Sequence, residues 1–460
     1  MVRQRGSAGD GVRAPDRPLG AEGRLPGRLA ARLQSLDEVS SRMVRGATFT
    51  AGSALLGRLT TLVAGVAAAR LLGAAQFGTF ALCQSTALVA SAVGGMGLPW
   101  AATRTLAAHR LAGPARTRRL WCVFVLLCLG GVGAVALPVL AAAGTVARVV
   151  FGAGADSRLV TASVLVFAGC TVNNLSQAVF MGLERFESAA RWSLMRSAAC
   201  AAGVIGGVVW PGGVLPAVVG YALGESVVLA PMLRHGYLLA SRPGQAAVAP
   251  ARPSSAKDGA QMALAAWGST LLLQPAFWYV QVLLTHVPGG YASLGVFALA
   301  QRAVQAVVML PGCIAVSSVP ILTACWAEGR HDDFVRAARR YAAGYLAYVV
   351  PTTFVAVVTA PLTLRAFGEQ YVSAWPVFVV LMMAAVPMVL NSLLSSVAVA
   401  MNRSRLWMCS DVTQAAALAV AAVLLVPALG GVGASLSFLV GGIATCLALV
   451  PVVGELRSRS

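Results

Sequence analysis

Four ionisable residues, Arg58, Glu225, Arg302 and Asp411, stand inside long apolar stretches of this 460-residue chain. An ionised side chain within lipid costs about 2.5–3.5 kcal/mol on insertion scales, so each requires a partner or a task. A guanidinium offers a rigid fork of donors suited to bidentate, charge-assisted recognition of phosphate. At about 1.5 Å per helical residue, Arg58 lies about 17 Å into its stretch from one side and Arg302 about 15 Å into its stretch from the other. Both therefore approach a membrane midplane. Two readings are open. The arginines face one cleft and bind an anion there, or each staples its own half of the chain, Arg58 to Glu225 and Arg302 to Asp411. Glu225 also suits a coupling proton or cation, and Asp411, about 9 Å from a helix end, suits a hydrated position.

Polar residues recur beside these charges at helical spacing, as one face of a cleft-lining helix requires. Thr50, Arg58 and Thr61 share one arc. Thr270, Gln274, Trp278, Gln281 and Thr285 form a longer stripe, and Gln301 and Gln305 flank Arg302. Amides and an indole match sugar hydroxyls and sugar faces; hydrogen bonds between helices are the alternative use of the same groups. Asn173, Asn174 and Asn391 are expected to bond neighbouring helices, and Pro275 marks a place where a helix can bend.

The elements that must carry these residues are membrane helices. With 58% hydrophobic and 11% charged residues, much of the chain has to face lipid. Continuous apolar runs of about 20 residues, long enough to cross about 30 Å of hydrocarbon, number twelve. They fall near 47–70, 79–103, 120–143, 160–183, 193–210, 215–233, 260–285, 292–320, 341–362, 375–399, 405–427 and 432–453. Their lack of apolar-polar alternation excludes barrel strands. The stretch 330–341, RHDDFVRAARRY, has the spacing of an amphipathic helix at the membrane surface.

A net charge of +19 would suit nucleic acid, but its placement is that of a topology signal. Counting Arg196 with the loop before the fifth span, 29 of the 35 Lys and Arg fall in alternate loops and the two tails. The intervening loops hold Arg70, Arg148, Arg158 and Arg365. Both termini are therefore expected in the cytoplasm, with no nucleic-acid partner. Residues 1–46 contain no apolar core of a signal peptide and are expected to form a disordered basic cytoplasmic tail. The nine cysteines show no CxxC spacing and are read as packing residues.

The chain repeats itself. GTFALCQ at 78–84 returns as GVFALAQ at 295–301, a displacement of 295 − 78 = 217 residues. Phe151 and Phe367, Asn174 and Asn391, and Pro211 and Pro427 keep nearly the same spacing. Because 217 residues carry six spans onto six, the halves share an orientation and form parallel repeats. The expected fold is all-α, about twelve transmembrane helices in two six-helix lobes of an alternating-access carrier. The lobes are 47–234 and 260–460, joined by a cytoplasmic linker at 235–259.

Several stretches carry a resemblance to a known family. RLLG at 70–73, the aromatic-Gly pair Phe77–Gly78 and the Gly-Leu pair at 97–98 precede a cationic loop; VFGAG, FMGLERF, AFGEQY and AMNRSRLW follow. Over about residues 45–455 the chain resembles the polysaccharide flippases of the multidrug/oligosaccharidyl-lipid/polysaccharide exporter superfamily. That resemblance implies a cargo of oligosaccharide on a polyprenyl diphosphate, moved from the cytoplasmic to the outer leaflet of a bacterial cytoplasmic membrane. Flippases of that family similarly use cationic residues in a central cavity, which accords with the reading of Arg58 and Arg302 as diphosphate ligands made from their type and depth. The surroundings that the resemblance implies are membrane lipids. A polysaccharide polymerase or glycosyltransferases would be partners. Neither a cofactor nor a metal is expected. The alternative within the superfamily is a drug or cation antiporter, whose cleft should be acidic. A sugar-permease carrier is disfavoured because the loop AAHRLAGPARTRRL lacks the Gly and Asp-Arg signature. An enzyme is disfavoured because the outer loop at 144–159 has one acid, Asp156.

Overall fold

The computed structural model describes residues 27–109, 113–152, 155–241, 256–451 and 454. Among these the ordered elements are helical. In chain order they are α1 (Gly27–Gly94), α2 (Leu98–His109), α3 (Pro114–Ala141), α4 (Ala143–Phe151), α5 (Ser157–Gly182), α6 (Phe186–Val209), α7 (Val214–Val227) and α8 (Leu229–Ala240). The second half contains α9 (Ala256–Thr285), α10 (Gly290–Ala327), α11 (His331–Val358), α12 (Ala360–Phe367), a 3₁₀ turn (Glu369–Ala374), α13 (Trp375–Ala400), α14 (Ser404–Leu429) and α15 (Gly431–Ala448).

Among the described residues ten stretches are long and apolar enough to cross a membrane. The first, Gly52–Gly94, is two spans, because its 43 residues exceed what one crossing needs and the helix breaks at Gly73, where φ is 76°. Helix α9 supplies the twelfth span. Leu126, Leu137, Phe354 and Leu424 are 66–70% exposed, as an apolar belt facing lipid demands.

Several expected boundaries move. The second span, expected over 79–103, stops at Gly94; Met96 and Gly97 take positive φ, and α2 starts afresh at Leu98. The surface helix expected over 330–341 is continuous with the ninth span in α11. Residues 27–46, expected to be disordered, are helical. Of the expected linker, 235–240 belong to α8 and 256–259 to α9, while 242–255 lie outside the described residues.

The internal repeat is visible in the backbone. Positive-φ positions recur as Gly73 and Gly289, Gly152 and Gly368, Glu184 and Asn402, and Gly213 and Gly430. Their displacements are 289 − 73 = 216, 368 − 152 = 216, 402 − 184 = 218 and 430 − 213 = 217. Each pair ends or starts corresponding spans. Within the first half α5 packs on α2, α3 and α7, and α6 on α7; within the second, α13 packs on α10, α11 and α15, and α14 on α9 and α15.

The repeated glycines meet one another. A Cβ on Gly78 would overlap the carbonyl oxygen of Tyr291, and one on Gly295 would overlap that of Ala74. The two GxFAL segments thus cross with backbone on backbone, which small residues permit in a membrane bundle. Two tyrosines reinforce this seam. The Tyr371 hydroxyl donates to the Ala69 carbonyl at 3.0 Å, and the Tyr291 hydroxyl donates to the Phe151 carbonyl. The lobes are therefore joined at the end of the bundle that holds Gly73, Gly152, Gly289 and Gly368.

Candidate functional site

Between the lobes lies a cavity of about 480 Å³. Its walls come from both halves: Arg58 and Thr61 before the Gly73 break of α1, Gln84 and Ser85 after it, Tyr221 on α7, Gln274, Trp278 and Gln281 on α9, and Gln301, Arg302 and Gln305 on α10. Phe277, Met388 and Phe438 complete an apolar side. Eight of the eleven residues singled out as diphosphate ligands or cleft lining are thus together: Arg58, Thr61, Gln274, Trp278, Gln281, Gln301, Arg302 and Gln305. Thr270 and Thr285 are not among the lining residues. Thr285 sits at the end of α9, where its hydroxyl donates to the Val282 carbonyl at 2.7 Å; the stripe outruns the depth of the cavity. Thr50 lies outside the residues whose side chains are described.

The two arginines make reciprocal contacts across the interface. Arg58 Nη1 donates to Gln305 Oε1 at 3.2 Å and to the Gln305 carbonyl at 3.5 Å. From the other lobe, Arg302 Nη2 donates to Gln84 Oε1 at 2.7 Å and Nη1 to the Thr61 carbonyl at 3.4 Å. The Arg302 guanidinium also lies 5.2 Å from the centre of the Phe77 ring. It reaches α1 because position 65 has no side chain: a Cβ on Gly65 would overlap Arg302 Nη1. Trp278 Nε1 donates to Thr86 Oγ1 at 3.0 Å, a further bond between lobes. The described lining residues include two arginines and no carboxylate. This is a cationic cavity whose charges are held by neutral oxygens and a ring face.

The expected staples are corrected. Glu225 pairs with Arg196 rather than Arg58: Arg196 Nε donates to Oε2 at 2.8 Å and Nη2 to Oε1 at 2.9 Å, with Glu225 1% exposed. Asn173 Nδ2 adds a bond to Oε2 at 2.7 Å, and Arg196 Nη1 donates to Asn174 Oδ1 at 3.0 Å. The sequence places Arg196 at the entry of the fifth span, where its charge counts with the loop before it. Helix α6 nevertheless starts at Phe186 and carries Arg196 about 15 Å inward. Asp411 is buried and accepts from the Ser269 hydroxyl between α14 and α9; Arg302 is engaged elsewhere. Asn391, matched by displacement to Asn174, accepts from Ser395 within its own helix at 3.1 Å. No cluster of three or more His, Cys, Asp or Glu that could hold a metal occurs among the described residues.

Removing one partner of a buried pair leaves an uncompensated charge, at about 3–5 kcal/mol. Glu225→Ala is accordingly expected to lower the thermal midpoint sharply. Arg196→Met combined with Glu225→Leu should recover most of the loss, because no charge is then stranded. An equal loss in the double variant would mean that the pair has another duty.

Twelve spans in two repeated lobes around a polar central cavity define a membrane carrier fold. The chain belongs to the polysaccharide biosynthesis protein family, whose model matches residues 43–326, more than half of its length. Among solved structures it is similar to the inward-facing conformation of a multidrug resistance MATE family transporter of the MOP superfamily. There the TM-score is 0.71 at 14% identity, covering 88% of this chain and 95% of that one. The outward-facing conformation of a MATE family transporter gives a TM-score of 0.61 at 14% identity, with 90% and 96% covered. The lipid II flippase MurJ, in its inward closed conformation, gives 0.64 at 12% identity, with 88% and 87% covered. A comparison with curated protein sequences gives no match.

Proposed function

We propose that this protein flips a polyprenyl-diphosphate-linked oligosaccharide from the cytoplasmic to the outer leaflet of a bacterial cytoplasmic membrane, for assembly of a surface polysaccharide. The observation that carries this reading is the convergence of Arg58 and Arg302, from opposite lobes, on one cavity with no carboxylate among its described lining residues. Two positive charges, with no carboxylate among the described lining residues, complement the two negative charges of a diphosphate diester. The amides of Gln274, Gln281, Gln301 and Gln305 and the ring of Trp278 suit the adjoining sugar. A volume of about 480 Å³ holds the diphosphate and neighbouring sugar rather than a long chain; the lipid tail stays in the bilayer.

Family membership and the likeness to a lipid II flippase support a lipid-linked cargo. With both termini cytoplasmic, the Gly78–Gly295 seam lies at the outer face, so the cavity is closed outward and loads from the cytoplasm. The greater similarity to an inward-facing than to an outward-facing carrier agrees. A drug antiporter would require acidic groups for cationic cargo, and the lining residues favour anions instead.

Deletion of the gene, with lipid extracts read by mass spectrometry, tests the pathway. A polyprenyl-diphosphate saccharide should accumulate and clear when the gene is restored. Unchanged lipid pools under conditions of expression would turn the reading towards export of a small solute.

A further inference from the structure

Gln84 and Gln305 each accept at the amide oxygen from an arginine of the other lobe. The ties run in opposite directions, from Arg58 in the first lobe to Gln305 in the second and from Arg302 in the second to Gln84 in the first. Each guanidinium thereby satisfies part of its donor fork with a neutral acceptor. A phosphate oxygen would make a shorter, charge-assisted bond with the same N–H groups, roughly twice as strong as a bond to a neutral amide. Gln84 and an anionic ligand therefore compete for one edge of Arg302, and Gln305 and that ligand for one edge of Arg58. Both glutamines and both arginines line the same cavity, so the ligand meets the arginines where the ties are made.

We infer that Gln84 and Gln305 are positioning residues that hold the two arginines across the lobe interface in the empty carrier, and that the anionic group of the cargo displaces them on loading. The inference rests on the diphosphate reading above. Loading then removes two of the hydrogen bonds that tie the lobes together beside the cavity, while the backbone seam at Gly78 and Gly295 remains. Gly65, Phe77 and the Thr61 carbonyl keep the Arg302 guanidinium in place once Gln84 lets go.

The competition has an unusual signature: deleting a contact tightens binding. The full-length protein in detergent is titrated calorimetrically with farnesyl diphosphate, with farnesol as the uncharged control. Size-exclusion profile and thermal midpoint check each variant's fold. Gln84→Ala frees Arg302 from its competitor and is expected to bind the diphosphate about two- to twelvefold more tightly, as loss of one competing hydrogen bond predicts. Gln305→Ala should move in the same direction by less, since its bond is longer. Gln84→Glu places a carboxylate on Arg302 and is expected to weaken binding at least about tenfold. Arg302→Ala should sharply reduce the difference between farnesyl diphosphate and farnesol, and Arg302→Ala combined with Arg58→Ala should abolish it. Weaker or unchanged binding by Gln84→Ala, with Arg302 still essential, would overturn the inference and leave the diphosphate site standing. Binding that is indifferent to Arg302 would overturn the diphosphate reading, and the inference with it.

Discussion

Arg302→Ala is expected to abolish transport while the protein still inserts and folds. Among the described lining residues of the cavity the guanidinium has no carboxylate partner, and its contacts include Gln84 Oε1, the Thr61 carbonyl and the Phe77 ring. Removing it strands no buried anion, so the thermal midpoint should fall little or rise. Removing one member of a desolvated charge pair costs about 2–5 kcal/mol in binding, or about 30-fold to 5,000-fold in cargo affinity. Arg302→Lys keeps the charge but loses the planar fork and should recover only part of the activity. Arg58→Ala should act in the same direction. Accumulation of the lipid-linked saccharide in cells expressing each variant, beside the amount of variant in the membrane, is the measurement. Normal clearance by a well-expressed Arg302→Ala protein would remove the diphosphate assignment.

The second large effect is expected at the seam. Valine at Gly78 or Gly295 drives a side chain into the carbonyl of Tyr291 or Ala74, and a backbone carbonyl cannot swing aside as a flexible side chain can. Overpacking of this kind costs about 1–3 kcal/mol. That cost falls only on the state in which these backbones touch, so it shifts a two-state carrier about 5–150-fold towards the alternative. Gly78→Val and Gly295→Val should thus favour the outward-open form and stall transport without unfolding either lobe. In a Ser85→Cys background, a membrane-impermeant thiol reagent applied from outside should label the cavity cysteine faster in the Gly78→Val protein. The same variant without Ser85→Cys corrects for the native cysteines. Equal labelling rates in the presence and absence of Gly78→Val would show that this contact does not seal the cavity.

Much of the architecture was legible because lipid imposes simple rules. Apolar runs marked the spans, and the 217-residue displacement marked the repeat. Arg58, Arg302 and the glutamines stood out because polar groups are costly at that depth. Pairing was not legible in the sequence. Arg196 lies beyond a polar first turn of α6, so in sequence its charge counts with the preceding loop, and Arg58 stands as the cation available to staple Glu225. The break at Gly95–Gly97 was hidden inside an apolar run, although the GGMG stretch contained the residues suited to it. Gln84 is the instructive case. It closes the repeated GTFALCQ segment as Gln301 closes GVFALAQ, and both reach the cavity. The repeat itself was the signal for Gln84, but no charge drew attention to it. Thr285 shows the opposite error, since correct helical phase does not ensure correct depth.

The central claim is that this carrier moves a lipid-linked saccharide between leaflets. Its most direct test places the saccharide-lipid isolated from deletion cells in liposomes containing the purified full-length protein. Periodate, which does not cross the bilayer, then oxidises the sugars that face outward. With the wild-type protein, oxidation should proceed beyond the share initially in the outer leaflet until the inner pool is also consumed; with Arg302→Ala it should stop at the outer share. If oxidation stops there with the wild-type protein too, while the liposomes are sealed and the protein is folded, the account is contradicted.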